Sequence, residues 1–273
     1  MKLGIVSIGS SSSGNSYLIS NGKTDIILDV GLSAKRIKEG LHQVGKAPMS
    51  VKGILVTHEH IDHVRSIRAM SKCCEQARVM ASEGTVNSCE KFKYVDKQRL
   101  DIVKAGDMNC IGDMEIKTFG LSHDAAEPVG YSFSCDAGKL VVVTDTGIVT
   151  EEIKSELVTS DIIVLEANYE EEILKVSDYP YLTKKRILGK YGHLSNVAAA
   201  ETMADILEKK GKRKYVNKHG IPKVMLAHLS SNNNTPANAS LTVSDILMEK
   251  GFIPGKDIDI KIAPKNRLSS IVI

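Results

Sequence analysis

Six residues, His58-Glu59-His60-Ile61-Asp62-His63, carry four metal-capable side chains directly after the apolar run Gly53-Ile54-Leu55-Val56-Thr57. A strand that delivers ligands from the loop at its C-terminal end can hold two divalent ions a few ångströms apart. The spacing divides the labour. His58 and His60, two apart on an extended segment, point the same way and can grip one ion, while Asp62 and His63 follow as the chain turns and can reach a second. Three of the chain's eight histidines fall in this one H-x-H-x-D-H run, which separates it from an incidental polar loop.

Around this motif the pattern is one of short strands with helices interspersed. Strands are expected over residues 2–8, 16–20 and 24–29, the last two joined through Asn21-Gly22, a dipeptide suited to a two-residue hairpin turn. Helical patterning starts at Ser33, a residue suited to N-capping, and runs to Val44. Further strands are expected over 53–57, 78–81, 114–119, 130–134, 139–145, 161–166, 223–227 and 258–262, and helices over 83–91, 196–210 and 237–250. Hairpins and helices mix without a regular βαβ beat, so the fold class is α/β (α+β): a layered sandwich of two sheets, not a doubly wound sheet.

With 273 residues, 42% of them hydrophobic, the chain can bury a sizeable core, and one domain over residues 1–273 is expected. No apolar run approaches twenty residues, which argues against a membrane partner. The N-terminus is strand-like and shows no export signal, and Cys73, Cys74, Cys89, Cys110 and Cys135 form neither a C-x-x-C pair nor an even disulfide set. Both features point to a reducing cytoplasm. A net charge of +3 is too small for the whole surface to attract a polyanion, so placement matters more. Basic clusters stand at Lys184-Lys185-Arg186 and at Lys209-Lys210-Gly211-Lys212-Arg213-Lys214, the second reading as a connector between a helix and the next strand. His42 and His219 read as surface residues.

Three more ligand candidates stand at expected strand ends: His123 in Leu121-Ser122-His123-Asp124, Asp145 in Val143-Thr144-Asp145-Thr146-Gly147, and His228 in Ala227-His228-Leu229-Ser230. Each is an imidazole or carboxylate fixed on a rigid element and aimed outward, and Asp145 suits a bridge because one carboxylate can give an oxygen to each ion. The ordered set Asp29, His58, His60, Asp62, His63, His123, Asp145, His228 resembles the metallo-beta-lactamase superfamily over nearly the whole chain. The resemblance implies a four-layer αββα sandwich and a two-metal site. It puts His58, His60 and His123 on one ion, Asp62, His63 and His228 on the other, and Asp145 between them. Asp29 would hold the histidine loop from behind by hydrogen bonds.

A carboxylate bridge suits phosphodiester and thioester hydrolases rather than beta-lactamases. Gly9-Ser10-Ser11-Ser12-Ser13-Gly14-Asn15-Ser16, Ser122-His123-Asp124-Ala125, Glu166-Ala167-Asn168, Gly192-His193-Leu194-Ser195-Asn196 and Leu226-Ala227-His228-Leu229-Ser230 together look like the YycJ (WalJ, VicX) group of bacterial 5′ to 3′ exonucleases. Tyr169 departs from that pattern, which would place a histidine there. Gly192-His193-Leu194-Ser195 also resembles the G-H-x-S element of ribonuclease J-like nucleases, implying that His193 and Ser195 hold substrate phosphate; Ser195 would equally cap the following helix. Fewer than fifty residues separate Asp145 from His193, too few for the inserted beta-CASP domain of those enzymes. Ser12 and Asn15, in the Gly/Ser loop, are further candidates for phosphate contacts, the alternative being a simple turn. Tyr169, Tyr179, Tyr181 and Tyr191 interleave with Lys184, Lys185 and Arg186 and would make a nucleic-acid track, or else pack as ordinary rings. The implied chemistry is attack on phosphorus by a hydroxide held between two divalent ions, zinc, manganese or iron, with Asp62 or His193 moving protons. The implied partner is DNA, with or without a 5′-phosphate; a small phosphodiester or a thioester is the alternative substrate.

Overall fold

The structure, a computed structural model, describes residues 2–211 and 220–273. His219 and the basic run beyond Gly211 lie outside the described residues. The first sheet contains β1 (Gly4–Gly9), β2 (Ser16–Ser20), β3 (Asp25–Leu28), β4 (Val51–Leu55), β5 (Arg78–Ser82) and β6 (Leu100–Val103), hydrogen-bonded in that order. The second contains β7 (Met108–Ile111), β8 (Met114–Gly120), β9 (Val129–Cys135), β10 (Gly138–Val143), β11 (Ile162–Glu166), β12 (Lys223–Ala227) and β13 (Asp259–Ile262), again in chain order. The last strand, β14 (Ser269–Val272), returns to pair antiparallel with β1.

Side chains two apart on a strand share a face, and the apolar runs here fill both faces. Ile26 and Leu28 of β3 pack between the sheets, against Ile116, Tyr131, Phe133 and Val142 of the second sheet, while Ile27 points outward. That outer face is covered by α1 (Ala34–Gln43), α2 (Ile61–Val64), α3 (Ile67–Cys73) and α4 (Glu83–Ser88), through Ile37, Leu41, Val64, Ile67 and Met70. The outer face of the second sheet receives α5 (Glu151–Val158) and, beyond the rim helices α6 (Glu171–Val176) and α7 (Tyr181–Leu188), the long α8 (Asn196–Gly211) and α9 (Pro236–Glu249). Four layers result, as expected: helices, sheet, sheet, helices. Each fully buried aliphatic or aromatic side chain contributes about 1.5–3 kcal/mol, so these three apolar interfaces, not surface ion pairs, hold the layers together.

Strand direction positions the site. β3 to β6 run parallel, and β1 has the same direction because two antiparallel steps separate it from β3. In the second sheet β10 to β13 run parallel and β8, two antiparallel steps from β10, joins them. The C-terminal ends of β1, β3, β4, β8, β10, β11 and β12 therefore open on one edge, where Val129 N donates to Thr57 O (2.9 Å) and ties the two sheets together.

Several expected boundaries shift for local reasons. Helix α1 begins as expected, the Ser33 hydroxyl accepting from Arg36 N, whereas the helix expected over 83–91 stops at Ser88, where Cys89 becomes extended and a 3-10 turn takes over; Asn87 and Ser88 are weak helix formers. Strands β3 and β10 end before Asp29 and Asp145 because both aspartates adopt left-handed backbone. The short edge strands β6, β7 and β14 and the helices α2, α3, α5, α6 and α7 were not expected from the pattern.

Candidate metal centre

Each strand end on the shared edge contributes. β1 leads into the Ser10–Asn15 loop, β3 into Asp29, β4 into His58–His63, β8 into His123, β10 into Asp145, β11 ends on Glu166, and β12 leads into His228. Asp29 (φ 58°), Asp145 (φ 60°) and His228 (φ 55°) are the non-glycine residues with left-handed backbone among the described residues. Holding side chains other than glycine there costs on the order of 1–3 kcal/mol each, and all three belong to this one cluster. The turn immediately after the strand aims the carboxylate or imidazole inward.

Two groups of donors form. In the first, His58 Nε2 lies 3.1 Å from His60 Nδ1, which lies 3.3 Å from His123 Nε2. Nitrogens bound tetrahedrally at about 2.0–2.1 Å to one zinc-sized ion stand roughly 3.3 Å apart, so this spacing suits a shared cation. In the second, Asp62 Oδ2 lies 3.4 Å from His63 Nε2 and 3.5 Å from His228 Nε2. Asp145 faces both: Oδ2 is 3.3 Å from His63 Nε2 and Oδ1 is 3.8 Å from His123 Nε2. Asp145 Oδ2 and His228 Nε2 are buried with no hydrogen-bond partner. Orphaned buried lone pairs are costly unless something electropositive meets them, and in a cluster this rich in ligand atoms a divalent cation fits that need.

Electrostatics separates the groups. Burial, helped by neighbouring His63, His123 and His60, holds His58 neutral well below the usual imidazole range, and burial likewise lowers His123. Neutral imidazoles are the form that ligates. For His63 and His228 burial also favours the neutral form, but carboxylates prevail: Asp29, Asp145 and Asp62 push His63 well up, and Asp145, Asp62 and Glu166 raise His228 to about 10. Asp62, whose burial alone would raise it, is held ionised by His63 and His228. The second group is thus a negative pocket seeking positive charge.

Behind the donors stands a layer of fixed partners. Asp29, fully buried, accepts from His63 Nδ1 (2.7 Å) and from Thr57 N (2.9 Å), which ties it to the histidine loop. Glu166, also fully buried, takes a part that its place in the sequence did not reveal. Its Oε1 accepts from His193 Nδ1 (2.8 Å) and His228 Nδ1 (2.7 Å), and its Oε2 from Leu194 N (3.0 Å) and Thr146 N (3.2 Å). Burial would raise this carboxyl, but the two histidines keep it well below the usual range. His193 is half-buried and joins the cluster, with Nδ1 on Glu166.

The phosphate candidates fare differently. Asn15 is fully buried and spent internally: its amide nitrogen bonds Ser11 O (3.0 Å) and faces His63 Nε2 (3.2 Å), while its oxygen accepts from Ser10 and Ser11. It stitches the Gly/Ser loop to the histidine loop and does not face solvent. Ser12, by contrast, is exposed. Ser195 is 3% exposed, and its hydroxyl accepts from Ala198 N (3.1 Å), the N-cap of α8 rather than an open donor. Tyr169, where a histidine was expected, is buried, and the adjacent Asn168 donates to His228 O (2.8 Å).

The same frame recurs in known proteins. A family model described as a beta-lactamase superfamily domain matches residues 24–219. Exodeoxyribonuclease YycJ of Bacillus anthracis is 35% identical over 93% of this chain and 92% of its own length. Exodeoxyribonuclease WalJ of Streptococcus pneumoniae serotype 2 is 34% identical over 93% of this chain and 91% of its own. Among solved structures, the metallo-beta-lactamase fold protein YhfI from Bacillus subtilis superposes with a TM-score of 0.69 at 12% identity, covering 99% of both chains. Sequence likeness across nearly the full length, on a four-layer frame that gathers its histidines at one edge, places this chain in the metallo-beta-lactamase superfamily.

Proposed function

We propose that this chain is a metal-dependent phosphodiester hydrolase that degrades DNA from the 5′ end, working in the cytoplasm as a single domain over residues 1–273 without a beta-CASP insertion. The observation that carries the reading is the convergence of seven donor side chains beside a hydrogen-bonded His193–Glu166 pair, in a chain about one-third identical to two exodeoxyribonucleases. His58, His60 and His123 would hold one divalent ion, Asp62, His63 and His228 a second, and Asp145 would lie between them. Bound there, two such ions supply Lewis acidity and a nucleophile at neutral pH.

The residues supply the rest. Asp29 fixes the His63 ring by accepting a hydrogen bond from its Nδ1–H, which leaves Nε2 as the atom that would meet the ion. Glu166 accepts in the same way from His228 Nδ1 and from His193 Nδ1, which fixes the His193 ring beside the donor cluster, where His193 would help move a proton as the P–O bond breaks. Asp62 belongs to the second donor group and is held ionised there by His63 and His228, so its part would be to hold the ion and not to take up a proton. The deciding assay is degradation of 5′-phosphorylated DNA with added manganese or zinc, using Asp145→Asn as control. Loss of DNA with the wild type and at least a hundredfold less with the variant is expected. Equal loss with both would identify a contaminant, and turnover of a model diester without DNA loss would shift the substrate to a small phosphodiester.

A further inference from the structure

Residues 179–191 hold four cations, three tyrosines and no acid. They include α7, which has no buried residue although half of it is apolar or aromatic. Tyr181 is 76% exposed, Leu182 75%, Leu188 51% and Tyr191 52%. A helix on a folded domain ordinarily lays such residues on the core, so an apolar surface left outward marks a place for a partner. Tyr181, Lys185 and Leu188, spaced i, i+4 and i+7, share one face of it. Arg186 is paired with Asp124, and Lys184 donates to Lys175 O, but Lys185 and Lys190 have no acidic partner among the described residues; the Lys190 ammonium lies 4.7 Å from the Tyr191 ring centre.

The position of this stretch matters as much as its composition. At one end the Tyr179 hydroxyl accepts from Asn232 Nδ2 (3.0 Å), four residues past His228, which follows β12. At the other, Ser122 Oγ donates to Lys190 O (2.7 Å) and Asp124 N to Tyr191 O (3.1 Å), on either side of His123 beyond β8. Between them His193 N donates to Ile187 O (3.1 Å). The stretch therefore borders the metal centre from the end of β12 to the end of β8, four strand spacings or roughly 19 Å.

We propose that this rim binds the single-stranded DNA flanking the linkage being cut, with Tyr181 and Tyr191 stacking on bases and Lys185 and Lys190 meeting phosphates. The proposal rests on the nuclease reading above and names the surface that reading needs. Rings left exposed stack on unpaired bases, whose faces are open, and not on the stacked interior of a duplex. The test compares holoenzyme variants Tyr181→Ala/Tyr191→Ala and Lys185→Ala/Lys190→Ala on a single-stranded oligonucleotide and on a model diester too small to reach the rim. The tyrosine pair is expected to raise KM for DNA by about tenfold or more, with diester turnover unchanged and Tyr181→Phe/Tyr191→Phe restoring KM. The lysine pair is expected to reduce the slope of log(kcat/KM) against log[salt] by about 1.4, two phosphate contacts on a single strand. Unaltered KM and salt slope in both variants, with the wild type degrading DNA, overturn the proposal and leave the nuclease reading intact. A wild type that turns over the diester but not DNA defeats the nuclease reading itself.

Discussion

Glu166→Gln tests the layer behind the ligands with almost no change of shape. The native carboxylate receives four N–H donors, two on each oxygen, and is fully buried. A glutamine has only one oxygen. If that oxygen faces the histidines, the new amide nitrogen faces the N–H groups of Leu194 and Thr146, leaving two buried donors unmet at about 1–3 kcal/mol each, so roughly 2–6 kcal/mol of stability is lost. If the amide turns round, its nitrogen faces both imidazoles, which can accept only by moving their protons to Nε2. On His228 that is the atom directed toward Asp62, 3.5 Å away, so the stability cost becomes a metal-affinity cost of about 10–100-fold. We therefore expect either urea unfolding in chelator to show the stability loss, or zinc titration calorimetry to show the weaker site, and diester turnover to fall in both cases. A variant with wild-type unfolding free energy, metal affinity and turnover would refute the assignment of Glu166 as the group that orients both histidines.

A methyl group added at Gly31 would lie 1.5 Å from Asp62 O and 2.1 Å from Asp62 C. Backbone cannot yield that far without moving the histidine loop, so Gly31→Ala is expected to lower metal content per chain by elemental analysis and to lower Tm, and unchanged metal content would show the contact to be dispensable. Away from the site, the buried Glu156 would be raised by burial, but hydrogen bonds from Lys117 (2.6 Å) and the nearby Lys139 ammonium (2.6 Å) hold it below the usual carboxylate range. A carboxyl depressed in the folded state stabilises the fold above its unfolded value of about 4.3 and loses that contribution as pH falls through the folded value. Glu156→Gln is thus expected to be less stable than wild type at pH 7, with a gap that narrows in acid; a gap constant with pH in urea denaturation would contradict this.

The donor cluster was legible because metal chemistry would demand rare residue types at strand ends, and strand ends can be read from apolar runs stopping at His58, Asp145 and His228. Asp29 was legible for the same reason. Glu166 was not: a glutamate closing an apolar strand looks the same whether it faces water or two buried imidazoles, and only the convergence of β11 with the His193 segment tells them apart. Asn15 and Ser195 read as phosphate donors because loop residues with free polar groups look alike in one dimension; their partners, His63 and the start of α8, are set by folding. Edge strands β6, β7 and β14 escaped notice because half-exposed strands of four residues carry too little alternation, and α7 because it buries no face to give it a period.

The seven donor side chains follow the C-terminal ends of strands and His193 stands just before α8, whereas the rim of residues 179–191 hangs outside all three apolar layers. Reactivity and address are thus stored in separable parts of the chain. On the proposed reading, drift in the rim would redirect this scaffold toward a different polymer, or toward none, while the donor cluster remains untouched and the layers beneath need no repacking.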